Sequence, residues 1–271
     1  MFDALPGLSP RHPIVYALNF APEEQRQTLA GIWQLTQELD GLSRIAESDV
    51  AAVKLPWWHE ELARWQQHGA RHPATRALSS LAGRSRVDAA VRQLLAATAV
   101  QQTSPRCGAE ADFWDRCEQH ALGLGVVAAY LDADEVVSAG YRSVGAAALG
   151  LERLLTAAPE ARAGRILLPL ELVAEAGLDS RKLAEENQGE AFISIRQHLA
   201  TAARQRLVAG RAGINAAPAP AQHRYALVLA ALYDALSRRL ASRKPASHRP
   251  ASLRQLWIAW RAAWRANRCG A

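Results

Sequence analysis

Apolar positions recur at helical spacing along most of the chain. Residues 22–44 open on Pro22, which suits a first helical position, and two acids follow it in the first turn. One face of this segment carries the apolar residues Leu29, Ile32, Trp33, Leu35 and Leu39. The pattern therefore predicts an amphipathic helix over 22–44.

The same spacing predicts the other helices. A short one should open at Pro73, and longer ones should cover 49–68, 87–103, 109–131, 134–157, 179–209, 219–241 and 252–267. Pro56 should kink or restart the 49–68 helix. Segment 134–157 is rich in Gly and Ala, which lets neighbouring helices approach closely or leaves room for a ligand tail.

No alternating strand pattern and no internal repeat interrupts this series. We therefore predict a single all-α domain over residues 1–271, built as a bundle of about ten helices. Its core should span 13–241. A basic linker should cover 242–251, ahead of a C-terminal Trp/Arg helix over 252–267.

Composition bears on the partners of the protein and on its location in the cell. A net charge of +6 and a pI near 9.6 suit anionic partners, although a solvated arginine surface would give the same balance. The three cysteines, Cys107, Cys117 and Cys269, form no CxxC pair and are expected to be inert thiols. No secretory leader pattern and no apolar run of about 20 residues occurs, so we expect a cytoplasmic protein whose membrane contact is peripheral, at the inner membrane surface.

Two polar clusters have structural interpretations. His59, Glu60 and Glu61 do not form the HExxH pattern of a zinc site, and the neighbouring Trp57 and Trp58 are expected to pack. The acidic run 132–135 is expected to be a turn that leads into a helix N-terminus.

The C-terminal helix carries an unusual combination of side chains. Tryptophans recur three and four residues apart and arginines accompany them, at Trp257, Trp260, Trp264, Arg254, Arg261, Arg265 and Arg268. This composition is typical of a helix that lies at a bilayer surface or binds a protein partner. Alternatively, the tryptophans cap the bundle and the arginines extend over it. No nucleic-acid-binding motif accompanies these residues, so we expect no nucleic acid partner.

Three stretches resemble the squalene/phytoene synthase family: residues 13–40, KLPWWHEELARW at 54–65, and GRILLPLELVAEAGL at 164–178. Members of that family are all-α enzymes of the isoprenoid-synthase fold that join two prenyl diphosphates head to head. Their chemistry uses two Asp-rich motifs that hold Mg²⁺ against the diphosphate. The resemblance, which extends over about 13–265, implies the same fold here.

The Asp-rich motifs are degenerate in this sequence. Aligning R-x-x-D-D-x-x-D places Gln37, Asp40, Gly41 and Arg44, so one acid remains. Aligning Q-x-x-N-x-x-R-D-x-x-x-D and the following GRIYLP places Leu149, Glu152, Leu155, Thr156, Glu160 and Leu167. The resemblance leaves Asp40 and Glu160 as metal-ligand candidates, and Gln37, Glu152 and Arg165 as substrate-binding candidates, with no assignable catalytic residue. Asp40 could instead be a cap or a solvated residue, and Arg165 could bind an anionic head group or pair with backbone carbonyls or Glu160.

Mg²⁺ is held through carboxylates and substrate phosphates, so losing most of the acids should remove most of the help given to the leaving group. We therefore expect the degenerate branch of the family, which is similar to a mitochondrial complex I assembly factor, with little or no condensation activity and no cofactor. Its partner would be a prenyl or quinone-like lipid held in an apolar tunnel, or a protein that it helps to assemble. The alternatives are an active, divergent, Mg²⁺-dependent prenyltransferase and a membrane-surface adaptor that works through the C-terminal helix.

Overall fold

The computed structural model describes residues 9–10, 12–45, 48–104, 106–185, 189–242 and 252–268. Within these ranges every regular element is a helix, which confirms the predicted all-α class. The thirteen α-helices are α1 Pro13–Phe20, α2 Glu23–Leu42, α3 Ser48–Gln66, α4 Pro73–Arg76, α5 Ser85–Thr103, α6 Glu110–His120, α7 Leu124–Tyr130, α8 Glu135–Arg162, α9 Leu170–Glu175, α10 Ser180–Ala184, α11 Glu190–Asn215, α12 Arg224–Leu240 and α13 Ser252–Arg268. Ten of them have seven residues or more, in agreement with the predicted number.

Helix α8 is the centre of the bundle and packs on α6, α7, α11 and α12. Its most extensive contact is with α11, where Gly140 faces Gly210. A Cβ on Gly140 would lie 2.7 Å from the carbonyl oxygen of Gly210, and the reverse distance is also 2.7 Å. Only glycine fits at this crossing, because the two backbones are nearly in contact. The small residues predicted to allow close approach do so here.

The predicted continuous helix over 109–131 is wrong. Helix α6 ends at His120, and Ala121, Leu122 and Gly123 have φ values of 42°, 49° and 72° before α7 begins. This left-handed turn brings Gly123 against α2, where a Cβ would lie 2.2 Å from Thr36 Oγ1. Tertiary contact with α2 therefore decides the break, and it places two non-glycine residues in a costly backbone region.

Other boundaries also differ from the predictions. Helix α3 does not restart at Pro56 but runs through it, and α8 continues past Pro159 to Arg162. The predicted 179–209 helix is two helices, α10 and α11, with residues 186–188 outside the described part. Helix α1 occupies a stretch for which no helix was predicted. Most of the predicted basic linker, residues 243–251, and Cys269 also lie outside the described residues.

The polar clusters at 59–61 and 132–135 are structural. Asp134 caps α8, because its Oδ1 accepts a hydrogen bond of 2.9 Å from the amide of Val137. Glu61 is fully buried and ties α3 to the start of α4, accepting from Thr75 Oγ1 at 2.6 Å and from two backbone amides. Trp58 is buried, as predicted, while Trp57 is 37% exposed.

Candidate functional site

A cavity of about 110 Å³ lies between α2 and α8. Helix α2 contributes Trp33, Gln37 and Asp40 at intervals of four and three residues, so the three side chains share one helix face. Helix α8 contributes residues at similar intervals from its facing side, and the segment after α8 closes one end. All five polar residues singled out from the sequence line this one cavity: Gln37, Asp40, Glu152, Glu160 and Arg165.

Asp40 is paired with a cation from the turn that follows its helix. Arg44 follows one turn later, and its Nη2 lies 2.8 Å from Asp40 Oδ2. The Asp40 side chain is 15% exposed, but that of Arg44 is 57% exposed, so the arginine of this pair is open to water. In the aligned motif Arg44 stands where an acid is expected, so a guanidinium lies where the family would need another carboxylate.

Glu160 is paired in the same way at the other end of the cavity. Helix α8 ends at Arg162, and Gly164, with φ +78°, turns the chain back. The turn places Arg165 Nε 2.6 Å from Glu160 Oε2, and the amide of Arg165 donates to the Glu160 carbonyl. Of the interpretations considered for Arg165, pairing with Glu160 is the one that the structure shows.

Glu152 is held by residues from distant elements. The hydroxyl of Tyr233 on α12 donates to Glu152 Oε1 at 2.8 Å. His12, the residue that caps α1, places its Nε2 3.5 Å from the same oxygen. The Nδ1 atom of this histidine accepts from the amide of Ile14, which fixes the orientation of the ring. Glu152 therefore joins α8 to α12 and α1.

The cavity also contains donors without partners. Arg153 is 5% exposed; its Nη2 donates to Gln101 Oε1 at 2.7 Å, but its Nε has no hydrogen-bond partner. Trp33 Nε1 is also buried without a partner. Both atoms are N–H donors, which suit an anion or an acceptor and cannot bind a cation.

Beside the cavity, His120 is 3% exposed and lies 3.8 Å from Asp40, and neither of its ring nitrogens has a hydrogen-bond partner. Burial lowers the pKa of His120 to about 4, and the nearby Asp40 carboxylate opposes this shift only in part. The imidazole is therefore neutral at pH 7 and adds no charge beside the cavity.

These residues do not fit a magnesium cluster. Mg²⁺ binds through carboxylate oxygens, yet Asp40 and Glu160 are each paired with an arginine and Glu152 accepts from Tyr233. In the described ranges, no three His, Cys, Asp or Glu side chains come together as a metal-ligand group. Three guanidinium groups line the same cavity as the three acids, so its charges are already balanced: Arg44, Arg153 and Arg165.

A profile of the squalene/phytoene synthase family matches residues 11–261, which is most of the chain. The chain belongs to the squalene/phytoene synthase family. No curated protein matches the sequence.

Solved structures of family enzymes share the fold. A dehydrosqualene synthase in complex with ligand superposes with a TM-score of 0.76 at 14% identity, covering 93% of this chain and 91% of that chain. Squalene synthase HpnC from Alicyclobacillus acidocaldarius gives a TM-score of 0.70 at 17% identity, covering 82% of this chain and 85% of that chain. The TM-scores establish the isoprenoid-synthase fold, whereas identities this low carry no argument about the chemistry.

Several residues that line the cavity were not predicted from the squalene/phytoene synthase motifs. His12, Trp33 and Arg153 were not singled out as site residues, and Leu155, which was aligned to a motif position, is not among the lining residues. Tyr233 lies 81 positions from Glu152 and His12 lies 140 positions from it. No local pattern signals contacts over such separations. Only the adjacent pair Glu152–Arg153 offered a hint, since a buried arginine beside an acid requires partners.

The C-terminal helix of this family member shows its tryptophans to solvent. Helix α13 packs on α12 and α1 through small residues, Ala259, Ala263 and Ala266, which are at most 7% exposed. The indoles lie on the opposite side, with exposed fractions of 54% for Trp257, 53% for Trp260 and 42% for Trp264. About half of each indole is therefore open to solvent.

A second, larger cavity opens beside this helix. It is a groove of about 880 Å³ between α12 and α13, and Arg261 and Arg265 of the predicted contact residues line it together with Trp257. No described helix, α13 included, is long and apolar enough to cross a membrane.

Proposed function

We propose that this member of the squalene/phytoene synthase family does not condense prenyl diphosphates with Mg²⁺, and that it serves instead as a lipid-contacting or scaffold protein. The observation that carries the proposal is the pairing of Asp40 with Arg44, which places a guanidinium where the family motif has an acid. The resemblance to the degenerate branch of the family supports a role in assembly.

Electrostatics favour the metal-free interpretation. A dication at Asp40 or Glu160 must displace a guanidinium and then remain beside it. Two unit charges 4 Å apart interact with about 4 kcal/mol at an effective dielectric constant of about 20, and a dication doubles this repulsion. A buried Arg153 adds a third positive charge to the same cavity. Enzymes that use Mg²⁺ on a diphosphate depend on the opposite balance, a surplus of negative charge.

The volume of the cavity limits what it can hold. Pockets for small organic ligands are typically about 300–1,000 Å³, and this one is about 110 Å³. Leu122 and Leu149 line its apolar side. A prenyl chain does not fit here without rearrangement, whereas a small anion does. The groove between α12 and α13, at about 880 Å³, has the size for a lipid, and we therefore assign the proposed lipid contact to that groove.

One observation favours a second candidate function. Asp40 on α2 and Glu152 and Glu160 on α8 approach one cavity from facing helices, which is the arrangement a divergent Mg²⁺-dependent prenyltransferase needs. If substrate binding broke the arginine pairs, fewer metal ions could still assist departure of the diphosphate.

Turnover of farnesyl or geranylgeranyl diphosphate with Mg²⁺ separates the two candidates. We expect no diphosphate release above the level of the D40N/E160Q variant, which removes both motif acids. A purified dehydrosqualene synthase serves as the positive control. Turnover on the order of 1 s⁻¹, in the ordinary range for enzymes, that disappears in D40N/E160Q would establish the prenyltransferase and end the proposal.

A further inference from the structure

Helix α13 places its large apolar side chains on the side that faces solvent. Its inner side consists of alanines and the buried Gln255, while three tryptophans and two leucines face outward. Leu253 is 81% exposed and Leu256 is 47% exposed. Exposing this much apolar surface next to a well-packed bundle is costly in water, so the surface is expected to have a partner.

Arginines accompany the tryptophans on the same surface. The guanidinium of Arg261 lies 5.2 Å from the centre of the Trp257 ring, and that of Arg268 lies 3.7 Å from the Trp264 ring. The rings of Trp260 and Trp264 are stacked, 6.4 Å apart. This places cations at the level of the indoles, along the helix and not only at its ends.

The neighbouring groove extends the positive charge onto α12 and α11. Its lining includes seven arginines and one acid: Arg211, Arg238, Arg239, Arg254, Arg261, Arg265, Arg268 and Asp234. Asp234 already has partners, since Arg238 lies 2.6 Å and Arg204 3.3 Å from its oxygens. Helix α13 itself has no Asp or Glu over residues 252–268. The surface is therefore strongly cationic.

We propose that the outer face of α13 and the groove beside it bind an anionic bilayer surface. The indoles would lie at headgroup depth and the arginines would bind lipid phosphates. Charge complementarity identifies the occupant. A second copy of this chain would place like charges together, and the centre of a protein interface is depleted of charge, whereas a bilayer of anionic phospholipid accepts both side-chain types together.

This inference deepens the lipid contact of the proposed function and rests on that part of it. It does not depend on whether the central cavity is catalytic. Vesicle binding and prenyl diphosphate turnover are measured separately, so either can fail alone.

The test is sedimentation of the full chain with vesicles of phosphatidylcholine, alone or mixed with phosphatidylglycerol. We expect binding only to the mixed vesicles, weakening with added salt. W260A/W264A should weaken binding to the mixed vesicles at least about tenfold, because it removes two indoles from the face proposed to meet the bilayer. Among the described ring contacts, these two indoles contact only each other and Arg268. R261E/R265E should weaken this binding at least about tenfold as well, because each arginine near an anionic surface contributes about fivefold.

Matched controls lie on other faces. W57A removes an exposed tryptophan from α3, and R76E/R181E reverses two exposed arginines on α4 and α10. Both should bind like the wild type. Circular dichroism checks that each variant is folded, and the lipid selectivity of the unmodified chain is a measurement that needs no variant.

Three outcomes would overturn the proposal. Equal binding of the unmodified chain to both vesicle types would contradict recognition of an anionic surface. Equal vesicle binding by the wild type and all variants would contradict a role for α13. Competition by inorganic phosphate or glycerol phosphate, with W260A/W264A unaffected, indicates a site for a soluble anion. A change of sedimentation coefficient in W260A/W264A without vesicles indicates that α13 contacts a second copy of the chain.

Discussion

Arg44 Nη2 lies 2.8 Å from Asp40 Oδ2, four residues further along the chain and just beyond the end of α2, at the point where the family motif would place another acid. A guanidinium in this position neutralises the neighbouring carboxylate and also repels any metal ion that approaches it. One replacement of an acid by arginine therefore removes a ligand and supplies a fixed cation. Arg165 also pairs with Glu160 at the far end of the cavity, but it replaces no acid, because the family motif GRIYLP has an arginine at this position.

Restoring acids at three motif positions should create a magnesium site. The variant G41D/R44D/T156D adds carboxylates at positions 44 and 156, which line the cavity, and at Gly41, which lies outside its lining and has open space where a Cβ would be added. We expect Mg²⁺ affinity, measured by isothermal titration calorimetry, to rise by about an order of magnitude or more, since a cation is removed and acids are added within a few ångströms. R76D, which changes an exposed arginine on α4, should leave it unchanged. An unaltered affinity in the triple variant would show that something other than missing charge limits metal binding.

Removing the Glu61 carboxylate should destabilise the protein and change its response to acid. Burial acts to raise the pKa of Glu61, but hydrogen bonds from Thr75, His72, Arg71 and Arg64 outweigh it and lower the pKa to about 2. Because the folded pKa lies below the unfolded value, the carboxylate stabilises the fold above about pH 4.5, and this stability is lost as pH falls toward 2.

We expect E61Q to lower the free energy of unfolding at pH 7 by about 1–3 kcal/mol, since its amide cannot replace four hydrogen bonds to a carboxylate. Urea denaturation at pH 7 and at pH 3 measures the effect. The difference between E61Q and wild type should shrink at the lower pH. E60Q, which alters the exposed neighbour, is the control, and an equal loss in both variants would contradict the interpretation.

Features that depend on neighbouring residues in the chain could be predicted from the sequence, whereas features that depend on contacts between distant residues could not. Helix α2, which has a clear apolar face, was predicted to within two residues, because its periodicity is local. The break at Ala121–Gly123 was not predicted, because it depends on contact with Thr36 on a distant helix. The cavity residues carried by the aligned motifs were found, whereas His12 and Tyr233 reach Glu152 through tertiary folding. The pairing of Glu160 with Arg165 was considered from the sequence, but its distance required the structure.

Adding one methyl group at Gly140 should destabilise the bundle. The Cβ of G140A would lie 2.7 Å from the Gly210 carbonyl oxygen, so α8 and α11 must separate. Overpacking of this kind costs about 1–3 kcal/mol, measured by thermal or urea unfolding. G41A is the matched control, because it is also in a helix but has open space around its Cβ, and alanine there should stabilise by about 0.5–1 kcal/mol. Equal effects of the two substitutions would mean that helix propensity, not packing, dominates at Gly140.

The buried His120 should make the stability depend on pH in a mildly acidic range. Its folded pKa is lowered to about 4, mainly by burial, while an unfolded histidine titrates near pH 6.5. Between these values the unfolded chain binds a proton that the folded protein does not. The free energy of unfolding should therefore fall as pH decreases from about 6.5 to about 4, with a slope approaching 1.4 kcal/mol per pH unit from this residue.

The variant H120F removes the titrating ring, so its unfolding free energy should fall less steeply than that of the wild type across the same window. Urea denaturation at closely spaced pH values measures both curves, and H59F, which changes an exposed histidine on α3, should keep the wild-type slope. A slope in H120F as steep as in the wild type would mean that His120 is protonated in the folded protein. In that case Asp40 would be paired with two cations, and the charge balance of the central cavity would have to be revised.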